Sequence, residues 1–281
     1  MVVILTVAGH GQAGACSEQR SGEISSQERS NAQMASSERD TSSSCYPVST
    51  TDRRTYWRHS VSLDRWTAVD AWFEDQLIPA DDTLTATLDA TEAAQIPAIS
   101  VSPSQGKFLQ ILARMQGATR ILEIGTLAGY STIWLARALP EDGQLVTLEL
   151  DPIHAEVARQ NFANAGVAGR IELREGLAVD SLQVMIASGE APFDFIFIDA
   201  DKPSNSAYLD AALKLSRPGT VIVLDNVVRN GAVVDPDATD PNVIGVRSVI
   251  DDIANNPRLT ATAIQTVGSK GYDGFALIHV S

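Results

Sequence analysis

From Arg120 onward the chain alternates short apolar runs with amphipathic stretches, and that alternation restricts it to few folds. Runs at 120–124, 145–150, 170–174, 193–198 and 220–224 read as buried strands, and stretches near 130–139, 152–165, 178–188, 205–216 and 245–255 read as the helices between them. A strand–helix–strand repeat with spacers of about 10–15 residues requires crossover connections. It therefore predicts an α/β fold with a parallel, doubly wound sheet and helices on both faces. Two further strands, at 262–267 and 275–280, are separated only by Gly268-Ser269-Lys270-Gly271-Tyr272-Asp273-Gly274. That loop is too short for a crossover helix, so this last pair is predicted to be antiparallel, which makes seven strands in all.

The region before the sheet has a different character. Trp66, Val69, Phe73 and Leu77 form a helical stripe stopped by Pro79, and Leu84 to Ile96 and Ser104 to Met115 read as two more helices, the last with Phe108, Leu112 and Met115 on one face. Residues 56–116 are thus expected to form a helical cap on a single domain spanning 56–281. The Trp and Phe stripe reads as core or dimer packing rather than as an aromatic substrate wall. Residues 1–55 are rich in Ser, Glu, Gln and Arg, with too few periodic apolar positions to offset the entropy of ordering, and are expected to be a disordered tail.

At 281 residues and 44% hydrophobic content the chain can bury a full-sized core. A net charge of −14 and a pI of about 4.6 argue against nucleic acid and against anionic membrane surfaces as partners. Cys16 and Cys45 are the only cysteines and both lie in the tail, which leaves the folded part without a disulfide framework or a thiolate metal site. The apolar start, Met1 to Gly9, lacks the basic region of a signal peptide, and no run approaches the ~18 apolar residues of a membrane span. A cytoplasmic location is expected.

Chemistry gathers at the ends of two strands. The run Phe193-Asp194-Phe195-Ile196-Phe197-Ile198 ends in Asp199-Ala200-Asp201-Lys202, and Thr220-Val221-Ile222-Val223-Leu224 ends in Asp225-Asn226. Carboxyl ends of strands are where open α/β sheets place ligands. Asp199, Asp225 and Asn226 are oxygen donors suited to Mg²⁺ or another hard cation rather than to zinc. Lys202 stays close to them, and desolvation or a cation's charge would make it a plausible general base. The alternative for these residues is a solvated loop pair and a turn or helix cap.

The first strand leads through Glu123-Ile124 into Gly125-Thr126-Leu127-Ala128-Gly129, a Glu-x-Gly-x-x-x-Gly spacing rather than the Gly-x-Gly-x-x-Gly of dinucleotide sites. A pyrophosphate would meet Thr126 and an acid there, whereas an amino-acid ammonium suits the acid. Glu149 ends the second strand, 24 residues after Gly125, where a carboxylate can accept both ribose hydroxyls. A nucleoside without pyrophosphate, joined to an amino acid, describes S-adenosylmethionine; the alternative is a strand–helix turn with no ligand. None of the four histidines, His10, His59, His154 and His279, pairs at ligand spacing, and no Gly-x-Ser-x-Gly elbow is present.

Taken with Gly106-Lys107-Phe108-Leu109, Gly129-Tyr130-Ser131 and Asp225-Asn226-Val227, these motifs resemble those of the cation-dependent O-methyltransferases of the caffeoyl-CoA and catechol type, from about residue 60 to the end. The resemblance implies a Rossmann-like fold, a metal (Mg²⁺, or Mn²⁺ or Ca²⁺) on Asp199, Asp225 and Asn226, and Lys202 as catalytic base. It also implies S-adenosylmethionine contacts from Glu123, Gly125, Tyr130, Ser131, Glu149 and Asp199, with Ala178 near the adenine, a phenolic acceptor and a homodimer. Two departures from the plant members, Arg229 in place of an aromatic residue and the segment Ser102-Pro103-Ser104-Gln105, point toward bacterial members that act on small catechols. Two other classes stay in view, a non-catalytic S-adenosylmethionine-binding protein and an NAD-type oxidoreductase. The former has no use for Lys202 and the oxygen trio, and the glycine spacing counts against the latter.

Overall fold

The computed structural model describes residues 62–281; the predicted tail, with Cys16, Cys45, His10 and His59, lies outside the described residues. Three helices come first, α1 (Leu63–Leu77), α2 (Asp82–Ala93) and α3 (Pro103–Gln116). Each starts on a side-chain oxygen that accepts first-turn N–H groups: Ser62 from Arg65, Asp81 from Thr83 and Leu84, and Ser102 from Gln105. The sheet region then runs β1 (Arg120–Ile124), α4 (Tyr130–Ala136), β2 (Gln144–Glu149), α5 (Pro152–Asn164), β3 (Ile171–Glu175), α6 (Ala178–Ala187), β4 (Phe193–Ile198), α7 (Asn205–Lys214), β5 (Ser216–Asp225), α8 (Pro241–Ala254), β6 (Leu259–Gly268) and β7 (Gly271–Val280).

The strands form one sheet in the order β3-β2-β1-β4-β5-β7-β6. Pairing is parallel from β3 through β5 and antiparallel where β7 joins β5 and β6. The seven-stranded, Rossmann-like plan expected from the sequence is therefore present, antiparallel hairpin included. Strand order reverses between β1 and β4, which opens a crevice at their carboxyl ends.

Every residue of β4 is buried, because helices cover both of its faces. Ile196 and Ile198 pack with Leu122, Ile124, Ile222 and Leu224 beneath α6, α7 and α8. Phe195 and Phe197 pack with Ile121, Leu109, Ile133 and Phe162 beneath α3, α4 and α5. Asp194 is the one acid inside this strand. Its Oδ2 accepts the N–H groups of Thr119 (2.8 Å) and Arg120 (3.0 Å), and its Oδ1 pairs with the Arg217 guanidinium at 2.6 Å. Those bonds hold its carboxyl below the usual range although burial opposes ionisation. Asp194→Ala leaves two backbone donors unpaired and is expected to cost about 2 kcal/mol. Arg217→Ala removes a half-exposed partner and is expected to cost under ~1 kcal/mol. Urea unfolding of both variants checks the order.

The structure departs from the sequence reading in three places. The final hairpin is longer than expected: the ladder continues through Gln265↔Gly274 and Val267↔Tyr272 to Gly268↔Gly271, which leaves a turn of only Ser269 and Lys270. Polar and glycine residues hid it, since they carry no apolar alternation although their backbone pairs as well as any other. In α3 the fully buried residues are Gly106, Leu109, Gln110 and Ala113; Phe108 and Leu112 are partly buried against the core, while Met115 is 79% exposed. In α1 the only buried residue is Asp70, and of the stripe Phe73 and Leu77 are 38% and 65% exposed, so the core half of the core-or-dimer reading is not met. α1 packs against α3 and β6, beside the sheet rather than upon it.

Candidate active site

A cavity of about 780 Å³ lies over the carboxyl ends of the parallel strands, lined by Gly125, Tyr130, Ser131, Glu149, Ala178, Asp199, Lys202, Asp225 and Asn226 among others. Of the site residues expected from the sequence, only Glu123 is absent from this wall. It lies directly below, fully buried, and its carboxylate accepts from Ser131 Oγ (2.7 Å), Thr147 Oγ1 (2.7 Å) and Thr132 Oγ1. Burial pushes the Glu123 carboxyl up to about 7 against the pull of those three hydroxyls.

A carboxyl raised in the folded state favours the protonated form, so its contribution to stability is full below the unfolded value near 4.5 and is lost as pH rises through about 7. The slope of stability against pH in that window is expected to carry up to ~1.4 kcal/mol per pH unit from this group. Glu123→Gln is expected to remove that part of the slope in denaturant titrations between pH 5 and 7.

Glu149 is set differently. Its Oε2 accepts the N–H groups of Leu127 (2.7 Å) and Thr126 (3.2 Å), and its Oε1 that of Asp151 (2.9 Å). The turn after β1 thereby orients this acid, which keeps free lone pairs toward the cavity. Gly125 has φ +99, and a Cβ there would fall on the Asp199 carbonyl oxygen, so glycine is required for β1 and β4 to meet at the crevice.

On the opposite wall, Lys202 opens a short turn after β4 and is only 6% exposed. Its Nζ lies 2.9 Å from Asp199 Oδ1. Asp225, at the tip of β5, is also buried, and its Oδ2 accepts from Gln105 Nε2 at 2.7 Å. Burial, reinforced by the Asp199 charge and opposed by Lys202, pushes the Asp225 carboxyl up to about 7. Asn226 follows with φ 57, a left-handed conformation that asparagine tolerates better than most residues. Among the described residues no three His, Cys, Asp or Glu side chains come together as a metal site, and Asn226 lines the cavity beside Asp199 and Asp225. Two carboxylates and an amide on one cavity wall, with a lysine beside Asp199, are oxygen donors of the kind a hard divalent cation takes.

Asp201, to which the sequence assigned no role, accepts from Ser204 N–H at 3.2 Å and from the Tyr208 hydroxyl, and so shapes the turn that carries Lys202. Sequence reasoning missed Gln105 and His154. His154 lines the cavity with Nδ1 3.5 Å from Glu149 Oε1. The Asp151-Pro152 cap that starts α5 just beyond β2 is the signal that could have placed it there. Nothing local pointed Gln105 at Asp225.

A reversed-order Rossmann-like sheet with a nucleoside-sized crevice and an acid at the tip of β2 is the arrangement of an S-adenosylmethionine-dependent methyltransferase. The chain belongs to the O-methyltransferase family, whose sequence model matches residues 78–279. It is 52% identical over 213 residues to a catechol O-methyltransferase of Niastella koreensis, covering 76% of this chain and 96% of that one. A catechol O-methyltransferase of Mycobacterium tuberculosis is 51% identical over 212 residues, covering 75% and 94%. Among solved structures, an O-methyltransferase of Bacillus cereus in complex with S-adenosylhomocysteine superposes with a TM-score of 0.77 at 57% identity, covering 78% of this chain and all of that one. No described helix is long and apolar enough to cross a membrane.

Proposed function

We propose that this enzyme transfers the methyl group of S-adenosylmethionine to one hydroxyl of a catechol-like small molecule, with a divalent cation, Mg²⁺ or a similar ion, held by Asp199, Asp225 and Asn226. The observation that carries this reading is the buried Lys202 Nζ, 2.9 Å from Asp199 and on the wall of the same cavity as Glu149. A base and a nucleoside-reading acid thus face one cavity. The bacterial catechol O-methyltransferases at 51–52% identity support the acceptor class.

In this reading Glu149 accepts the ribose hydroxyls, Ala178 borders the adenine, and Gly125, Tyr130 and Ser131 form the wall beside the amino-acid part. Glu123 acts from below by holding Ser131. A bound cation supplies Lewis-acid charge that makes a phenolic hydroxyl easier to ionise. With a cation on Asp199 in place of the ammonium contact, the neutral amine of Lys202 would take up that proton. The phenolate lone pair then forms the new O–C bond as the C–S bond breaks, giving a methyl ether and S-adenosylhomocysteine. Holding both reactants in one cavity contributes by alignment. A homodimer belongs to the same reading, supported by Trp72, Leu77 and Met115, whose exposed apolar surfaces would gain by being covered.

The test is purified full-length protein with labelled S-adenosylmethionine and Mg²⁺ against a catechol panel, with products identified by mass spectrometry. Singly methylated catechols are expected. S-adenosylhomocysteine binding without turnover of any diphenol would favour a binding protein instead.

A further inference from the structure

A second cavity, of about 230 Å³, adjoins the first, and Gln105, Asp225, Asn226 and Lys270 line both. It therefore begins at Asp225 and Asn226, two of the three oxygen donors, and shares none of Gly125, Glu149 or Ala178 with the first. One wall is aromatic, formed by Phe108 and Phe275 with ring centroids 4.9 Å apart. The other is the tip of the β6–β7 hairpin, which carries Lys270 in its two-residue turn.

That tip is held in place. Asp70 of α1 accepts the Ser269 N–H at 2.7 Å, and a Cβ on Gly268 would strike the Asp70 carboxylate. The two acids on this wall already accept backbone N–H groups. Asp70 takes that of Ser269, and Asp273 takes those of Val228 (2.9 Å), Arg229 (3.0 Å) and Gly274 (3.0 Å). Lys270 itself donates to the Ala98 carbonyl at 3.2 Å and meets no carboxylate among the described residues. An ammonium group thus lines a small aromatic-walled cavity with no carboxylate in ion-pair contact, in company with the Asp70, Asp225 and Asp273 carboxylates of the same lining.

We propose that Lys270 is a specificity-determining residue of the acceptor site, which selects vicinal diphenols carrying an anionic substituent on the ring. This rests on the O-methylation of catechols proposed above. The ring would lie against Phe108 and Phe275 with its hydroxyls toward Asp225 and Asn226. A carboxylate on the far side of the ring would then meet Lys270, while an ammonium would be repelled.

The test is kcat/KM of the full chain, with S-adenosylmethionine and Mg²⁺, for 3,4-dihydroxybenzoate, 4-methylcatechol and dopamine. The wild type is expected to prefer the anionic acceptor. In Lys270→Ala the ratio of the anionic to the neutral acceptor is expected to fall about fivefold through KM, the size of a partly exposed ion pair. Lys270→Arg should restore the ratio and Lys270→Glu should turn it toward dopamine. Because each ratio is taken within one preparation, a less stable variant does not distort it. An unchanged ratio in Lys270→Ala overturns the role of Lys270 while leaving catechol methylation intact. If the wild type methylates none of the three, the acceptor class itself has failed and this inference falls with it.

Discussion

Lys202→Met is expected to lower kcat by about 100- to 10,000-fold, the range that a positioned general base supplies. Methionine keeps most of the side chain's volume in a site where Lys202 is only 6% exposed, so packing is largely preserved. The ammonium is lost, and with it the 2.9 Å contact to Asp199 and the counter-charge to Asp225. Nucleoside recognition rests on Glu149 and the turn after β1, across the cavity, so the affinity for S-adenosylhomocysteine by calorimetry should change little. The split between kcat and ligand affinity is the informative result. A variant that retains full turnover would remove Lys202 from the chemistry, and one that loses ligand binding as well would assign it to structure.

Asp225→Asn is expected to cut turnover at saturating Mg²⁺ by about a thousandfold, the several kcal/mol that a cation contributes at developing negative charge. The substitution keeps the shape and an oxygen to accept from Gln105 but removes one of two carboxylate charges from the donor set, the buried one. Wild-type activity should vanish in EDTA and return with excess Mg²⁺, whereas the residual activity of the variant should be indifferent to both. Titration with Mn²⁺ followed by electron paramagnetic resonance gives a readout separate from turnover, and the variant should bind the ion more weakly. Wild-type turnover that persists undiminished in EDTA would dispose of the cation reading.

How far the site was legible depended on what each residue needs around it. Asp199, Lys202, Asp225 and Asn226 could be read because each sits at the abrupt end of an apolar strand, a signal contained within ten residues of chain. Gly125 and Glu149 were legible for the same reason. Glu123 was legible as an acid before the turn, but its burial beneath Ser131, Thr132 and Thr147 was not, since Thr147 reaches it from the neighbouring strand. Core packing failed for Leu77 of α1, and Met115 of α3 is exposed although Phe108 and Leu112 pack on the core, because apolar spacing shows that a helix has a sticky side and not which neighbour covers it.

The sequence by itself determined the alternation of strands and helices, the antiparallel ending and the acids at the strand tips, because hydrophobic period and turn chemistry act over a few residues. Only the tertiary structure decided which distant groups meet. Gln105 reaches Asp225 across 120 residues of chain, and Asp70 holds Ser269 across 199. Such contacts depend on how helices settle onto a twisted sheet, and no local pattern encodes that docking. The gathering of Asp199, Lys202, Asp225 and Asn226 at strand ends was therefore readable in advance, while the small cavity lined by Lys270 emerged only from the packing of α1, α3 and the final hairpin.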